Sequence, residues 1–277
     1  VTDEKQEKAV LAKWAAGDWA LILGASSGFG EACALKLAEI GFNIAGVHLD
    51  RRAGLEHVES IKQRIADLGV KSLFFNVNAS DADKRSGVLD ALALATAQSG
   101  DGQVRVLIHS LAFGTLKPFF NESEKSSINQ KAMNMTLDVM AHSLVYWAQD
   151  IVRRKLMRQG GRVFAMTSAG SRVMWPAYGA VSAAKSTLES HCRQIAVELG
   201  KDGITANAIM AGVTDTPALR KIPGNEAMIE GSLRTHPVGR LTTPEDVADV
   251  IALLARPESQ WMTGNVIHVD GGEIISG

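Results

Sequence analysis

The sequence predicts an α/β fold built on a doubly wound parallel sheet. Two observations carry that expectation. Short, almost continuously apolar runs alternate with longer stretches of helical periodicity from residue 19 to residue 269. A glycine-rich turn, Gly24-Ala25-Ser26-Ser27-Gly28-Phe29-Gly30, stands at the first strand–helix junction. Strands that read as unbroken apolar runs are buried on both faces, as in a parallel sheet covered by helices on each side. The ligand of such a sheet belongs beyond the carboxyl ends of its strands.

In chain order, strands are expected at 19–23, 43–49, 71–75, 104–109, 162–167, 205–209 and 266–269. Helical patterns cover 31–40, 55–68, 83–97, 133–157, 178–199 and 244–255, and Gly41 closes the first of them as a cap. Residues 216–237 depart from this regularity. Pro217, Pro223 and Gly224 are followed by a short mixed helix over 225–233. In an otherwise regular chain this is the natural place for a lid over an apolar pocket. Phe113, Trp175, Met210, Ile222 and Met228 are candidates to line it. No repeat or linker divides the chain, so a single domain over 1–277 is expected, with 1–17 as an N-terminal extension of no assigned role.

Composition narrows the class. At 46% apolar and 21% charged, the 277 residues suffice for a sizeable core. A net charge of −1 supplies no global field for nucleic acid or an acidic membrane, and no apolar run is long enough to span a bilayer. Cys33 and Cys192 lie within helical patterns without metal or redox spacing, as small core residues in a reducing compartment do. Residues 1–13 are charged and lack a secretory apolar region, so a cytoplasmic enzyme is expected. His48, His57, His142, His191, His236 and His268 show no ligand spacing, so no metal is assigned. His109 is expected to be a strand-end residue with a satisfied ring.

The glycine turn carries phosphate chemistry. Glycines at 24, 28 and 30 permit positive φ and close approach of a pyrophosphate, and the helix behind them offers unpaired N–H groups and a partial positive charge. Glycines also merely turn chains; the position at the first strand–helix junction makes dinucleotide binding the better reading. The second strand ends in His48-Leu49-Asp50-Arg51-Arg52, which holds both an acid suited to a ribose diol and bases suited to a 2′-phosphate. The arginines favour NADP(H), with NAD(H) as the alternative. Asn78 and Ala79 after the third strand are expected against adenine, and Ser110, Leu111 and Ala112 after the fourth along the nicotinamide ribose.

The chain has two tyrosines, Tyr146 and Tyr178. Tyr178 precedes Lys185 by seven positions, almost two helical turns, which leaves them on a similar face. A lysine beside a phenol holds a proton donor next to a reacting oxygen, although such pairs also arise by chance.

With these residues in view, the chain resembles the short-chain dehydrogenase/reductase superfamily from about residue 18 to residue 272. The glycine turn, Gly203-Ile204-Thr205-Ala206-Asn207-Ala208-Ile209-Met210-Ala211-Gly212, Thr263-Gly264 and Val269-Asp270-Gly271-Gly272 carry the resemblance. Leu23 stands where that family usually has threonine, Ala211 where it has proline, and Asn134 at the place of an asparagine often found there. Ordinary members place tyrosine four positions before the lysine; here that position is Val181. The Y-x6-K spacing, with His109-Ser110-Leu111-Ala112-Phe113-Gly114 after the fourth strand, is similar to the enoyl-acyl carrier protein reductases. Ser168 occupies the site of a second tyrosine of their better-known branch, which makes the chain look like their divergent third type.

The resemblance implies reduction of the C2=C3 double bond of an enoyl thioester in fatty acid synthesis. Tyr178 would donate to the thioester oxygen, Lys185 would bind the nicotinamide ribose, and Ser168 would contact the substrate or hold Tyr178, or simply bond backbone at a strand end. Gly212, Thr214 and Thr216 would meet the cofactor, with Thr216 alternatively capping a helix near Pro217. Acyl carrier protein is a possible partner, for which Arg220, Lys221, Arg234 and Arg240 offer a basic rim. A homotetramer is expected from the family and from apolar residues on several faces of two helices (Leu144, Val145, Trp147, Ile151; Leu188, Ile195, Val197). The alternatives are a 3-oxoacyl or other carbonyl reductase of the same superfamily, and a cofactor-binding scaffold or redox sensor without turnover.

Overall fold

The computed structural model describes residues 15–98, 100 and 102–276. Its centre is β1 (Trp19–Leu23), every residue of which is buried. The chain continues through α1 (Gly28–Glu39), β2 (Asn43–His48), α2 (Leu55–Asp67), β3 (Ser72–Asn76), α3 (Ala82–Ala97) and β4 (Val104–His109). Next come α4 (Gln130–Leu137), α5 (Ser143–Arg153), β5 (Arg162–Ser168), α6 (Gly179–Leu199) and β6 (Thr205–Ala211). The last elements are α7 (Asn225–Thr235), α8 (Pro244–Leu254) and β7 (Val266–Val269). The seven strands form one sheet in the order β3-β2-β1-β4-β5-β6-β7, with every neighbouring pair parallel. The order reverses between β1 and β4, which opens the crevice at their carboxyl ends.

Strand alternation divides the core between the two faces. Trp19, Leu21 and Leu23 of β1 join Leu107, Val163 and the inner sides of α3, α5 and α6. Ala20 and Ile22 join Ile108, Phe164, Ile209 and the inner sides of α1, α2 and α8. The doubly wound arrangement is therefore present as the apolar runs predict.

Boundaries differ from the sequence expectation at several elements, and the break in the long helix and the start of α6 have local reasons. The single helix expected over 133–157 is broken by a π turn, Asp138–His142, between α4 and α5. Ser143 Oγ donates to Val139 O at 2.8 Å within that turn. A π turn leaves one carbonyl without its usual partner, and this hydroxyl supplies one. Helix α6 starts at Gly179, with Tyr178 as its N-cap, because Ala177 adopts a left-handed φ of 62° that the helix cannot propagate. Strands β5 and β6 run on to Ser168 and Ala211, which pair with each other. Elsewhere the signals act as expected: Gly41 takes φ 100° after α1, and Thr243 and Asp246 form a capping box around Pro244.

The apolar residues that suggest association are mostly core. Leu144, Trp147, Ile151, Leu188 and Ile195 are buried within the chain's own packing, whereas Val197 is 78% exposed. Both cysteines are buried, and burial pushes each thiol up to about 12. Among the described residues no helix is long and apolar enough to cross a membrane.

Candidate active site

A cavity of about 1450 Å³ runs along the carboxyl ends of the strands, from the end of β2 across the β1/β4 crevice to α7. That exceeds the roughly 300–1,000 Å³ of a pocket for one small ligand, so it has room for two side by side. At its centre the chain comes close to itself. Gly24 has φ 91°, and a side chain there would begin 2.4 Å from Ser110 O; one at Gly30 would begin 1.9 Å from Gly24 O. Ser27 precedes α1 in extended conformation and makes no side-chain cap bond, so its hydroxyl leaves the first-turn N–H groups uncapped at the cavity edge that Ser27 and Gly28 line. This cradle fits a pyrophosphate.

Of the sequence-predicted cofactor residues, Gly24, Ser26, Ser27, Gly28, Phe29, His48, Asp50, Asn78, Ala79, Ser110, Leu111, Ala112, Gly212, Thr214 and Thr216 line the cavity. Gly30 lies behind the turn, where its missing side chain lets the helix approach the strand. Arg51 and Arg52 are exposed beyond the cavity wall. His48 Nδ1 lies 2.8 Å from Asp50 Oδ2, and Asp50 N donates to Asn76 Oδ1, so the end of β2 is braced against β3. Thr216 caps the turn that follows it and stands beside the glycine turn. Its hydroxyl accepts from Leu219 N at 3.2 Å, and its methyl lies close to Gly28.

Tyr178, Lys185 and Ser168 line the same cavity, with Ser168 Oγ close to the Tyr178 ring beside Gly170. Tyr178 is the only tyrosine lining the cavity, because Tyr146 points elsewhere and donates to Asp138 Oδ1 at 3.0 Å. Burial raises the Tyr178 pKa, and the nearby Ser168 hydroxyl works against that rise. Ser168 Oγ is nonetheless buried without a well-formed hydrogen bond to any protein group. The phenol is therefore neutral at physiological pH and free to donate. Lys185 is 7% exposed and donates from Nζ to Met166 O at 2.6 Å. Burial lowers its pKa to about 8, against the pull of Glu189 one turn on.

The expectation for His109 needs correction. Its Nε2 lies 2.8 Å from Ser143 Oγ, but Nδ1 is buried without a partner, so the ring is only half satisfied. Asn134 is an exposed residue of the cavity wall, and Lys185 reaches the Met166 carbonyl instead. Two members of the expected basic rim are already paired: Arg220 with Asp215 and Arg240 with Asp246. All five apolar candidates, Phe113, Trp175, Met210, Ile222 and Met228, do line the cavity. Sequence reasoning missed Asp138, His142, Ser232 and Glu273, which line it as well. None belongs to a local motif. His142 is drawn in by the π turn and pairs with His191 of α6 at 3.0 Å, a contact no spacing signals.

Against known proteins, the family described as Enoyl-(Acyl carrier protein) reductase matches residues 24–273. The chain belongs to this family, within the short-chain dehydrogenase/reductases. The reductase is 27% identical to an NADPH-dependent aldehyde reductase-like protein of Arabidopsis thaliana, over 94% of this chain and 95% of that one. It is 30% identical to the 3-oxoacyl-[acyl-carrier-protein] reductase of Aggregatibacter actinomycetemcomitans, over 91% of this chain and 97% of that one. Among solved structures it matches the enoyl-(acyl-carrier-protein) reductase from Anaplasma phagocytophilum in complex with NAD, at TM-score 0.78 and 23% identity, covering 94% and 93% of the two chains. The reductase is thus an oxidoreductase whose relatives act on both carbonyl and enoyl substrates with either nicotinamide cofactor.

Proposed function

We propose that the reductase reduces the C2=C3 double bond of an enoyl thioester. The observation that carries this reading is the pair of positions before Lys185. The residue four before, Val181, is apolar and 5% exposed in the core, so no donor stands where carbonyl reducers have their phenol. The residue seven before, Tyr178, brings a neutral phenol to the cavity. When bound, the dinucleotide supplies hydride. The chain's part is to hold the thioester oxygen, on which negative charge develops as C3 accepts hydride. Tyr178 O–H donates to that oxygen, and a donor set in place before the charge forms is worth most in a water-poor site. Lys185 holds the ribose hydroxyls and adds positive charge nearby, and Ser168 Oγ supports Tyr178 or the substrate. Residues 216–237 form a lid, anchored where Trp175 Nε1 donates to Pro223 O at 3.0 Å.

The end of β2 divides the two cofactors. Asp50 lines the cavity, whereas Arg51 and Arg52, on which NADP(H) rests, lie outside it. A carboxylate accepts from a ribose diol and repels a 2′-phosphate. The geometry thus supports NADH, and the ratio of kcat/KM for NADH and NADPH tests it. Acyl carrier protein as donor of the acyl group would engage Lys221 and Arg234, the two rim cations left outside those ion pairs. A homotetramer belongs to the same proposal and is read by sedimentation.

The second reading, a 3-oxoacyl reductase, draws on the 30% identical relative. Oxidation of reduced cofactor with crotonyl thioester and with 3-oxoacyl thioester separates the two. Turnover of the enoyl substrate supports the proposal; turnover of the 3-oxoacyl substrate alone sinks it.

A further inference from the structure

Helix α6 buries two ionisable side chains one turn apart, Lys185 and Glu189, which are 7% and 6% exposed. Residues four apart share a helix face. Both reach β5, and they hold consecutive residues of it. Lys185 Nζ donates to Met166 O at 2.6 Å, and Glu189 Oε1 accepts from Thr167 Oγ1 at 2.8 Å. Thr167 lines the cavity, whereas Glu189 stands behind it and has no part in the chemistry described above. A carboxylate is costly to take out of water, and a neutral amide would accept from Thr167 as well. What the amide would lack is charge. The groups packed around the amine offer no substitute. His109 of β4 is neutral, Tyr178 ahead of α6 keeps its proton, and burial does the same for Cys192 further along α6. In the π turn, Asp138 accepts from Tyr146 and His142 pairs with His191. Lys131 of α4 is exposed. Glu189 is the charge that favours the ammonium.

We propose that Glu189 is a positioning residue for Lys185: its carboxylate, clamped by Thr167, supplies the counter-charge that holds the buried ammonium ready for the ribose hydroxyls. It acts through the lysine and not on the reacting atoms. Burial alone disfavours the charged amine, and a fixed carboxylate one turn away offsets part of that cost. With the carboxylate in place the proton leaves near pH 8. Without it the proton leaves nearer neutrality, and the cavity loses its cation where the reaction needs one. This role rests on the reading in which Lys185 holds the cofactor ribose, and it serves an enoyl or a carbonyl substrate equally.

The test uses Glu189→Gln, which keeps an acceptor for Thr167 Oγ1 and removes only the charge. In protein carrying isotope-labelled lysine, the Lys185 Cε resonance, assigned with Lys185→Met, reads the amine with neither cofactor nor substrate present. Its midpoint near pH 8 falls by about one pH unit in Glu189→Gln, the effect of losing one nearby opposite charge. The alkaline fall of kcat/KM moves with it. Neighbouring groups do not confuse the reading, since His109 titrates near 3 and Cys192 near 12. Glu189→Asp, shorter but charged, restores part of the shift. Should Glu189→Gln not fold, Glu189→Met, of similar volume and with no polar group to bury, gives the same comparison. A purely structural role lowers the rate equally at every pH and leaves the Lys185 midpoint alone. That outcome overturns the proposal, as does a midpoint in Glu189→Asp as low as in Glu189→Gln. If only 3-oxoacyl thioesters turn over, the enoyl reading fails by itself, and the resonance still decides the role of Glu189.

Discussion

Lys185 Nζ donates to the carbonyl oxygen of Met166 at 2.6 Å, which pins the ammonium to β5 in the wall of the cavity that Tyr178 also lines. The amine is buried, and burial disfavours its charged form, so the proton leaves near pH 8 rather than at the ordinary lysine value of 10.5. The charged form prevails below that point. The rate with enoyl thioester should hold up to about pH 8 and fall tenfold per unit above it. The kcat/KM profile measures this, because it reports groups of the free enzyme. In Lys185→Met the residual rate should be flat through the same window.

His109 sets the stability of the acid side. Ser143 Oγ gives its proton to Val139 O, so His109 must donate from Nε2, and the ring is neutral. Burial, with the Lys185 charge second, lowers its pKa to about 3. The unfolded value lies near 6.5. Between these values the unfolded chain binds the extra proton, so this contribution is complete above about pH 6.5 and is lost as pH falls toward about 3. His109→Gln should show a smaller drop in urea midpoint between neutral and mildly acidic pH than the native chain. Equal drops would mean that the ring titrates normally.

Two glycine substitutions should act in opposite directions. Gly30→Ala places a methyl 1.9 Å from Gly24 O and should abolish dinucleotide binding or folding, read by cofactor titration of whatever soluble protein forms. Gly87 sits exposed within α3, with nothing within 4 Å of the new carbon. Gly87→Ala should stabilise by roughly 0.5–1 kcal/mol, seen as a higher urea midpoint with unchanged activity.

Arg162 is a buried cation held by neutral oxygens. It is 2% exposed, and its guanidinium donates to the carbonyls of Gly160, Gly161, Leu254 and Arg256 and to Gln260 Oε1. Burial lowers its pKa to about 10. Arg162→Met strands these acceptors and should cost about 3 kcal/mol or more, measured as a fall of several degrees in Tm. A change of less than a degree would show that the site relaxes around the loss.

What was legible in the sequence is what depends on near neighbours along the chain. The glycine turn, the cap at Gly41 and the Tyr178–Lys185 spacing are local; the turn and the cap sit where the sequence places them, and Tyr178 stands one residue ahead of α6 as its N-cap. The break between α4 and α5 is hidden, because nothing in the local pattern marks Ser143 as the partner of Val139 O, and its other neighbour, His109, meets it only when α5 packs on β4. Arg220 and Arg240 read as free cations until Asp215 and Asp246 closed on them. Ser232 and Glu273 are separated by most of the C-terminal region and line one cavity only through the packing of α7 on the last turn.

The central claim concerns one hydroxyl, and Tyr178→Phe removes it with little else changed. Single-turnover oxidation of bound reduced cofactor by crotonyl thioester, followed in both proteins, is the direct measurement. The account predicts that the variant binds cofactor as the native chain does and transfers hydride about a hundredfold or more slowly, the cost of losing one oxyanion donor. Transfer at the native rate would contradict it.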